Sequence, residues 1–200
     1  MGWRMISVVK NWVNPSTKRK IKWSARTFLQ SSIYFFVRGR SEIGDALHIV
    51  FVCKGNVCRS PFAEYYLKSL PLNANIKIES CGLDVDQSVP SPSEASSTAV
   101  EFGVDLTENR SRSLVACDLE QADLIVGMEY DHFKRLVEKF PNKKQQIVLL
   151  QDFAPWPESL VCNIHDPYGC GLSEFRACFN TIKCALNRLA LQLAQDHKQQ

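Results

Sequence analysis

The chain has 200 residues, of which 45% are hydrophobic, so its length suits one domain with a sizeable core and no second catalytic domain is expected. The formal charge of +3 is unevenly spread, because residues 1–47 carry nine Lys/Arg and two acids, whereas residues 48–200 carry 15 Lys/Arg and 19 acids. The eight cysteines all follow residue 50 in no pattern typical of a zinc site, which favours a reducing cytoplasm.

The first element in the chain is a basic N-terminal arm, residues 1–46, which we expect to lie outside the fold. Its longest apolar run, residues 33–37, is far shorter than the roughly 20 residues of a membrane-spanning helix. The composition is compatible with an anionic membrane surface or a transit peptide, and equally with a disordered tail or a segment that the cell does not translate. The folded domain is predicted to cover residues 47–200.

After the arm, short β-branched runs alternate with longer segments of helical pattern. The predicted strands are His48–Cys53, Ile76–Ser80, Leu124–Met128 and Ile147–Leu150. The predicted helices are Pro61–Leu70, Ser93–Phe102, Asp131–Phe140 and Ser173–Gln195. Four such units predict an α/β fold, a small doubly wound four-stranded parallel sheet with flanking helices.

The loop between the first strand and the first helix of this domain has a cysteine and an arginine at its ends. It reads Cys53-Lys54-Gly55-Asn56-Val57-Cys58-Arg59-Ser60-Pro61. A loop that leaves a strand and enters a helix aims several backbone N–H groups, and the positive end of the helix, at one point. Such a field favours the thiolate form of a cysteine, and the arginine fork can bind two phosphoryl oxygens. The loop is therefore a candidate phosphate site with Cys53 as the nucleophile.

The segment from Val52 to Glu64, together with Asp166-Pro167-Tyr168-Gly169 about a hundred residues later, resembles the low-molecular-weight protein tyrosine phosphatases. The resemblance covers roughly residues 48–195 and is greatest to the bacterial, exopolysaccharide-associated branch. It implies a metal-free and cofactor-free hydrolysis of phosphotyrosine through a phosphocysteine intermediate. The implied partner is a phosphotyrosine-containing protein, such as a bacterial tyrosine kinase.

The resemblance also implies roles for individual residues. The catalytic set is Cys53, Arg59 and the general acid Asp166, and the residues expected to bind substrate or shape the site are Lys54, Gly55, Asn56, Val57, Cys58, Ser60, Leu83 and Tyr168. Ser60 is expected to donate its hydroxyl to the Cys53 sulfur, and Leu83 and Tyr168 to form walls for a phenyl ring.

Three further positions bear on specificity and on departures from the family pattern. Val57 favours phosphotyrosine, because an aliphatic side chain offers only apolar contact to a ring. The resemblance implies that the related arginine phosphatases have threonine at this position. Cys58 is a candidate partner for a reversible disulfide with Cys53. Asn109 stands where the family usually has a histidine that supports the loop, and His165 has no expected role.

Two other functions stay open. A thioredoxin-coupled arsenate reductase shares this loop, but it needs a downstream pair of cysteines, and near the third strand only Cys117 is present. A phosphotyrosine-binding protein without turnover should have lost the nucleophile or the acid, and both are present.

Overall fold

The fold is a four-stranded parallel sheet with helices on both faces. In the computed structural model the described residues are 15–38, 46–72 and 75–196. The strands are β1 His48–Cys53, β2 Lys77–Gly82, β3 Leu124–Gly127 and β4 Ile147–Leu149. The helices are α1 Pro15–Val37, α2 Arg59–Ser69, α3 Ser93–Val100, α4 Tyr130–Lys139 and α5 Leu172–Asp196. The predicted fold class is therefore confirmed.

The sheet has the strand order β2-β1-β3-β4, and every neighbouring pair is parallel. β1 lies in the middle and is buried along its whole length, so its side chains alternate between two apolar cores. Ile49 and Phe51 pack with α2, α3 and α5, whereas Val50 and Val52 pack with α4 on the opposite face. A strand that is buried on both faces reads as a continuous hydrophobic run, as His48–Cys53 does.

The boundaries differ from the predicted ones by one or two residues at most ends. The difference that matters lies at α2, which begins at Arg59 and not at Pro61. Arg59 and Ser60 consequently belong to the first helical turn, where the backbone N–H groups have no partners within the helix. β2 also runs two residues further than predicted and ends at Gly82.

Part of the basic N-terminal arm is packed on the domain. α1 buries Thr27, Ser31 and Tyr34, and the Tyr34 ring lies against Phe133 of α4 with ring centroids 5.1 Å apart. The expectation that the arm lies outside the fold therefore does not hold for residues 23–38. Sequence pattern missed this docking because the buried positions of α1 are mostly polar. The rest of that expectation, for residues 1–14 and 39–45, lies outside the described residues.

No helix within the described ranges is long and apolar enough to cross a membrane.

Candidate active site

The loop from Cys53 to Arg59 closes around the Cys53 sulfur. Asn56 has a φ of 51°, the left-handed conformation that asparagine tolerates better than most residues. This conformation turns the Asn56 N–H toward Cys53 Sγ, to which it donates at 3.2 Å. The Ser60 hydroxyl donates to the same sulfur at 3.0 Å, as the sequence predicted. Two hydrogen-bond donors therefore point at the sulfur that is predicted to be the nucleophile.

The asparagine side chain supports the loop from below. Its amide donates to Ser60 Oγ at 3.0 Å and to Ser80 Oγ at 2.8 Å, and its carbonyl oxygen accepts the Arg112 N–H at 2.8 Å. Asn109 donates to the backbone carbonyl of Asn56 at 3.4 Å. Asn109 therefore still contacts the loop, although it holds the backbone and not the asparagine side chain.

Gly82, at the end of β2, allows the loop to come this close. A Cβ at this position would lie 2.9 Å from both the Asn56 nitrogen and the Lys54 carbonyl oxygen. Sequence analysis did not assign Gly82 a role. The feature that could have indicated the role is a glycine at the carboxyl end of a strand next to the loop.

A buried carboxylate completes the support and was also missed. Glu64 accepts hydrogen bonds from Ser80 Oγ and Arg112 Nη2, each at 2.6 Å. Since Ser80 also accepts from Asn56, the chain of hydrogen bonds runs from Glu64 to the loop. Glu64 lies within the helix that follows the loop, and helical position alone did not reveal its partners.

Arg59 is held by two carboxylates. Its side chain is 2% exposed, Nη2 lies 2.7 Å from Asp166 Oδ2, and Nη1 pairs with Glu129 and donates to the Ile164 carbonyl at 3.0 Å. Although burial acts in the opposite direction, the carboxylates of Asp166 and Glu129 raise the pKa of Arg59. The arginine is a permanent cation at the end of the loop, beside Cys53.

Glu129 was not assigned a role from the sequence. It lies two residues after the end of β3 and directly before α4, at the same edge of the sheet where β1 delivers Cys53. The carboxyl ends of parallel strands meet at one edge, so a polar residue at that position was the available signal.

Asp166 lines the same cleft beside Arg59 and also makes a local contact. Its Oδ1 accepts the Tyr168 N–H at 3.2 Å, and the following Pro167 is buried. The structure thus brings the predicted acid and the predicted Cys53 loop together, because both border the same cavity.

The cavity has a volume of about 580 Å³ and opens above the loop. Its floor contains Cys53, Lys54, Gly55, Val57, Cys58 and Arg59, and its sides contain Asp84, Val85, Asp86, Gln87, Val89, Pro90, Asp166 and Tyr168. Tyr168 lines the cavity and is 65% exposed, and its role as a wall for a phenyl ring stays a prediction. Asn56 and Ser60 are fully buried below the floor and shape the loop, so they do not line the cavity.

Leu83 is a correction to the predicted site. Its N–H donates to the Cys53 carbonyl at 2.9 Å, which continues the pairing of β2 with β1. Its side chain consequently packs against the core that includes Val52 and Phe133 and does not line the cavity. Val85 and Val89, which follow a bend in the chain, provide the apolar wall in its place.

The cysteines are all free thiols, including Cys53 and Cys58. Burial raises the pKa of the Cys58 thiol, and the nearby Cys53 acts in the same direction. Cys58 is therefore held in the protonated form, and its pairing with Cys53 stays a prediction. Among the described residues, no group of three or more His, Cys, Asp or Glu could hold a metal ion.

Comparison with known proteins agrees with this geometry. Residues 48–199 match the model of the low molecular weight phosphotyrosine protein phosphatase family. The chain is 33% identical over 148 residues to the low molecular weight protein-tyrosine-phosphatase Wzb of Escherichia coli K12, covering 74% of this chain and 93% of that protein.

Two solved structures are similar in fold. The YwlE arginine phosphatase from Geobacillus stearothermophilus superposes with a TM-score of 0.68 at 28% identity, covering 76% of this chain and 96% of that one. The tyrosine phosphatase Wzb from Escherichia coli K30, in complex with sulphate, gives a TM-score of 0.65 at 28% identity, covering 74% and 99%. The chain belongs to the low-molecular-weight protein tyrosine phosphatase family.

Proposed function

We propose that this protein hydrolyses phosphotyrosine in proteins through a phosphocysteine intermediate. The observation that carries the proposal is the Cys53 sulfur with its two donors, at the floor of a cavity that also contains Arg59 and Asp166. The two other residues supply the charge and the proton that the chemistry needs. Cys53 and Arg59 come from one loop and Asp166 from a distant segment, and all three line one cavity.

The first step transfers the phosphoryl group. Cys53 Sγ attacks phosphorus, an S–P bond forms, and the P–O bond to the tyrosine ring breaks. Arg59 and the loop N–H groups bind the equatorial oxygens as charge develops on them. A phosphoryl group on Arg59 takes the place of Asp166 at Nη2, which leaves the Asp166 carboxyl free to give its proton to the departing phenolate.

The second step releases phosphate. Water attacks phosphorus while the ionised Asp166 accepts its proton, and the S–P bond breaks. The Ser60 hydroxyl, 3.0 Å from Cys53 Sγ, stabilises the thiolate as it leaves. One aspartate thus serves both steps, and the enzyme returns to its starting state.

Substrate choice is inferred from the residues around the cavity. Val57 offers only apolar contact at the floor, and Val85, Val89 and Tyr168 provide surfaces for a flat ring. These features favour phosphotyrosine. The resemblance to the bacterial branch supports a tyrosine kinase of exopolysaccharide synthesis as the partner and the cytoplasm as the location.

Phosphoarginine is the second candidate, because Asp84 and Asp86 line the same cavity and a carboxylate can pair with a guanidinium group. Asp84 is already paired with Arg135 Nη1 at 3.0 Å, which weakens this alternative. Hydrolysis of matched phosphotyrosine and phosphoarginine peptides by the parent and by Val57→Thr separates the two. In the parent, kcat/KM for the phosphotyrosine peptide should exceed that for the phosphoarginine peptide by at least about tenfold. The ratio should be smaller in Val57→Thr.

The reaction itself is tested with p-nitrophenyl phosphate across pH, in the presence of EDTA and without added metal. Turnover should peak at mildly acidic pH, vanish in Cys53→Ser, and fall by about 10² or more in Asp166→Asn. A folded parent without turnover would contradict the proposal. Arsenate reduction with thioredoxin and then phosphotyrosine binding without turnover would be measured next.

A further inference from the structure

Besides packing on α4, α1 makes three contacts with the segment that leads to Asp166. The first contact is at Cys162, whose backbone N–H donates to Ser31 Oγ at 3.0 Å. Ser31 in turn donates to the Thr27 carbonyl at 2.8 Å, which fixes its hydroxyl for this role. The Cys162 N–H is buried and therefore needs an acceptor. The helix supplies it.

The second contact is at Asn163, which is 4% exposed. Its side-chain amide donates to Gln30 Oε1 at 2.7 Å and to Thr27 Oγ1 at 3.2 Å. Its carbonyl oxygen accepts the N–H of Tyr130 at 2.7 Å, next to the Arg59 partner Glu129. Asn163 thus joins α1 to the start of α4.

The third contact is at His165, directly before Asp166. The Trp23 ring meets the His165 ring edge to face, with centroids 5.3 Å apart. His165 was expected to be an exposed residue without a role. It is exposed, but it is in contact with α1.

The other end of α1 is anchored at Asp152. Tyr34 donates to Asp152 and accepts the Leu149 N–H at 3.0 Å, and Arg38 pairs with Asp152 at 2.6 Å. From Arg38, directly after the helix, back to Trp23, the successive partners therefore run forward along the chain from Leu149 to His165. One rigid helix spans the irregular segment between β4 and the acid.

We propose that α1 is a positioning element for the general acid, which holds residues 162–165 and thereby sets the position of Asp166 over the cavity. The inference rests on the proposed phosphatase activity. It assigns a function to a part of the chain outside residues 48–199, the range that matches the family. Trp23, Thr27, Gln30 and Ser31 are then positioning residues, since they act through the segment and touch no reacting atom.

The test is how strongly the rate depends on the leaving group. The value of kcat/KM reports the steps up to formation of the phosphocysteine, in which the leaving oxygen takes its proton. Phenolate needs that proton far more than p-nitrophenolate does, so a misplaced acid slows phenyl phosphate selectively. The double variant Trp23→Ala/Ser31→Ala should lose about tenfold in kcat/KM for phenyl phosphate and less than about threefold for p-nitrophenyl phosphate.

The same helix offers matched controls. Ser32 donates to the Phe28 carbonyl at 3.1 Å as Ser31 does to Thr27, but Ser32 is exposed. Phe36 is an aromatic residue that is 91% exposed. The double variant Ser32→Ala/Phe36→Ala should therefore keep both rates. Asp166→Asn removes the acid altogether and so sets the largest change expected in the ratio of kcat/KM for the two substrates.

A second readout does not depend on turnover. Backbone hydrogen exchange in residues 161–168 should be faster in Trp23→Ala/Ser31→Ala than in the parent and unchanged in Ser32→Ala/Phe36→Ala. Equal loss, or no loss, of kcat/KM with both esters would overturn the proposal, and so would unchanged exchange. Absence of turnover in the parent would instead overturn the proposed function, while exchange would still decide whether α1 holds the segment.

Discussion

At the scale of single residues, the site depends on where a few hydrogen-bond donors point. The Cys53 sulfur has two donors because Asn56 adopts a positive φ and because Ser60 lies in the first turn of α2. Both residues are fully buried, so their hydrogen bonds are not exchanged with water. Both donors are consequently in place around the Cys53 sulfur before substrate binds.

Replacing Ser60 by alanine should lower kcat by about tenfold, because the thiolate loses a donor when it leaves in the second step. Steady-state kinetics with p-nitrophenyl phosphate measure the effect. Ser69→Ala is the matched control, since Ser69 lies on the same helix and donates only to the Tyr66 carbonyl at 2.7 Å. An unchanged kcat in Ser60→Ala would assign this serine a structural role.

At the scale of elements, α1 covers the β4 edge of the sheet. The Leu149 N–H at this edge is accepted by the Tyr34 hydroxyl, and the Tyr34 ring fills the space beside α4. Burial raises the pKa of Tyr34, and Asp152 acts in the same direction, so the hydroxyl stays a donor across the working pH range. An edge strand with an unpaired N–H is thereby closed.

Removing this hydroxyl should destabilise the protein. Tyr34→Phe is expected to lower the free energy of unfolding by about 1–3 kcal/mol, because the partly buried Asp152 carboxylate and the buried Leu149 N–H each lose a partner. Urea unfolding should show a lower midpoint with an unchanged slope. A double-mutant cycle of Tyr34→Phe with Asp152→Asn measures the interaction between these two side chains. Additive changes in the free energy of unfolding would contradict their coupling.

At the scale of the whole molecule, the fold buries a histidine that has to stay neutral. Burial, reinforced by Arg59 and Arg135, lowers the pKa of His132 to about 3. Its Nδ1 accepts the Met128 N–H at 3.3 Å, a role open only to the neutral ring. The unfolded chain binds a proton at this residue near pH 6.5, whereas the folded protein does not.

Stability should therefore depend on pH through His132. Its contribution is complete above pH about 6.5 and is lost as the pH falls toward 3, by about 1.4 kcal/mol per pH unit. The measurement is the difference in unfolding free energy between the parent and His132→Gln from pH 7.5 down to about pH 4.5. A difference for His132→Gln that stays constant across this pH range would contradict the assignment.

The sheet and the core of the site are predictable from local sequence. Cys53 and Arg59 lie within one strand–loop–helix unit, so their proximity follows from local backbone geometry, and the alternation of strands and helices determined the order of the layers. The prediction of Asp166 as the general acid came from the family resemblance.

Which distant groups meet depends on how the complete chain packs. Glu129 pairs with Arg59, Gly82 admits the loop, Leu83 packs into the core, and α1 packs on the segment before Asp166. The packing of α1 on the domain was not predicted, because its exposed face carries Phe28 and Phe36 while its buried face carries hydroxyl groups. Apolar periodicity reports burial only where burial is driven by apolar surface, and hydrogen bonds between distant segments leave no period in the sequence.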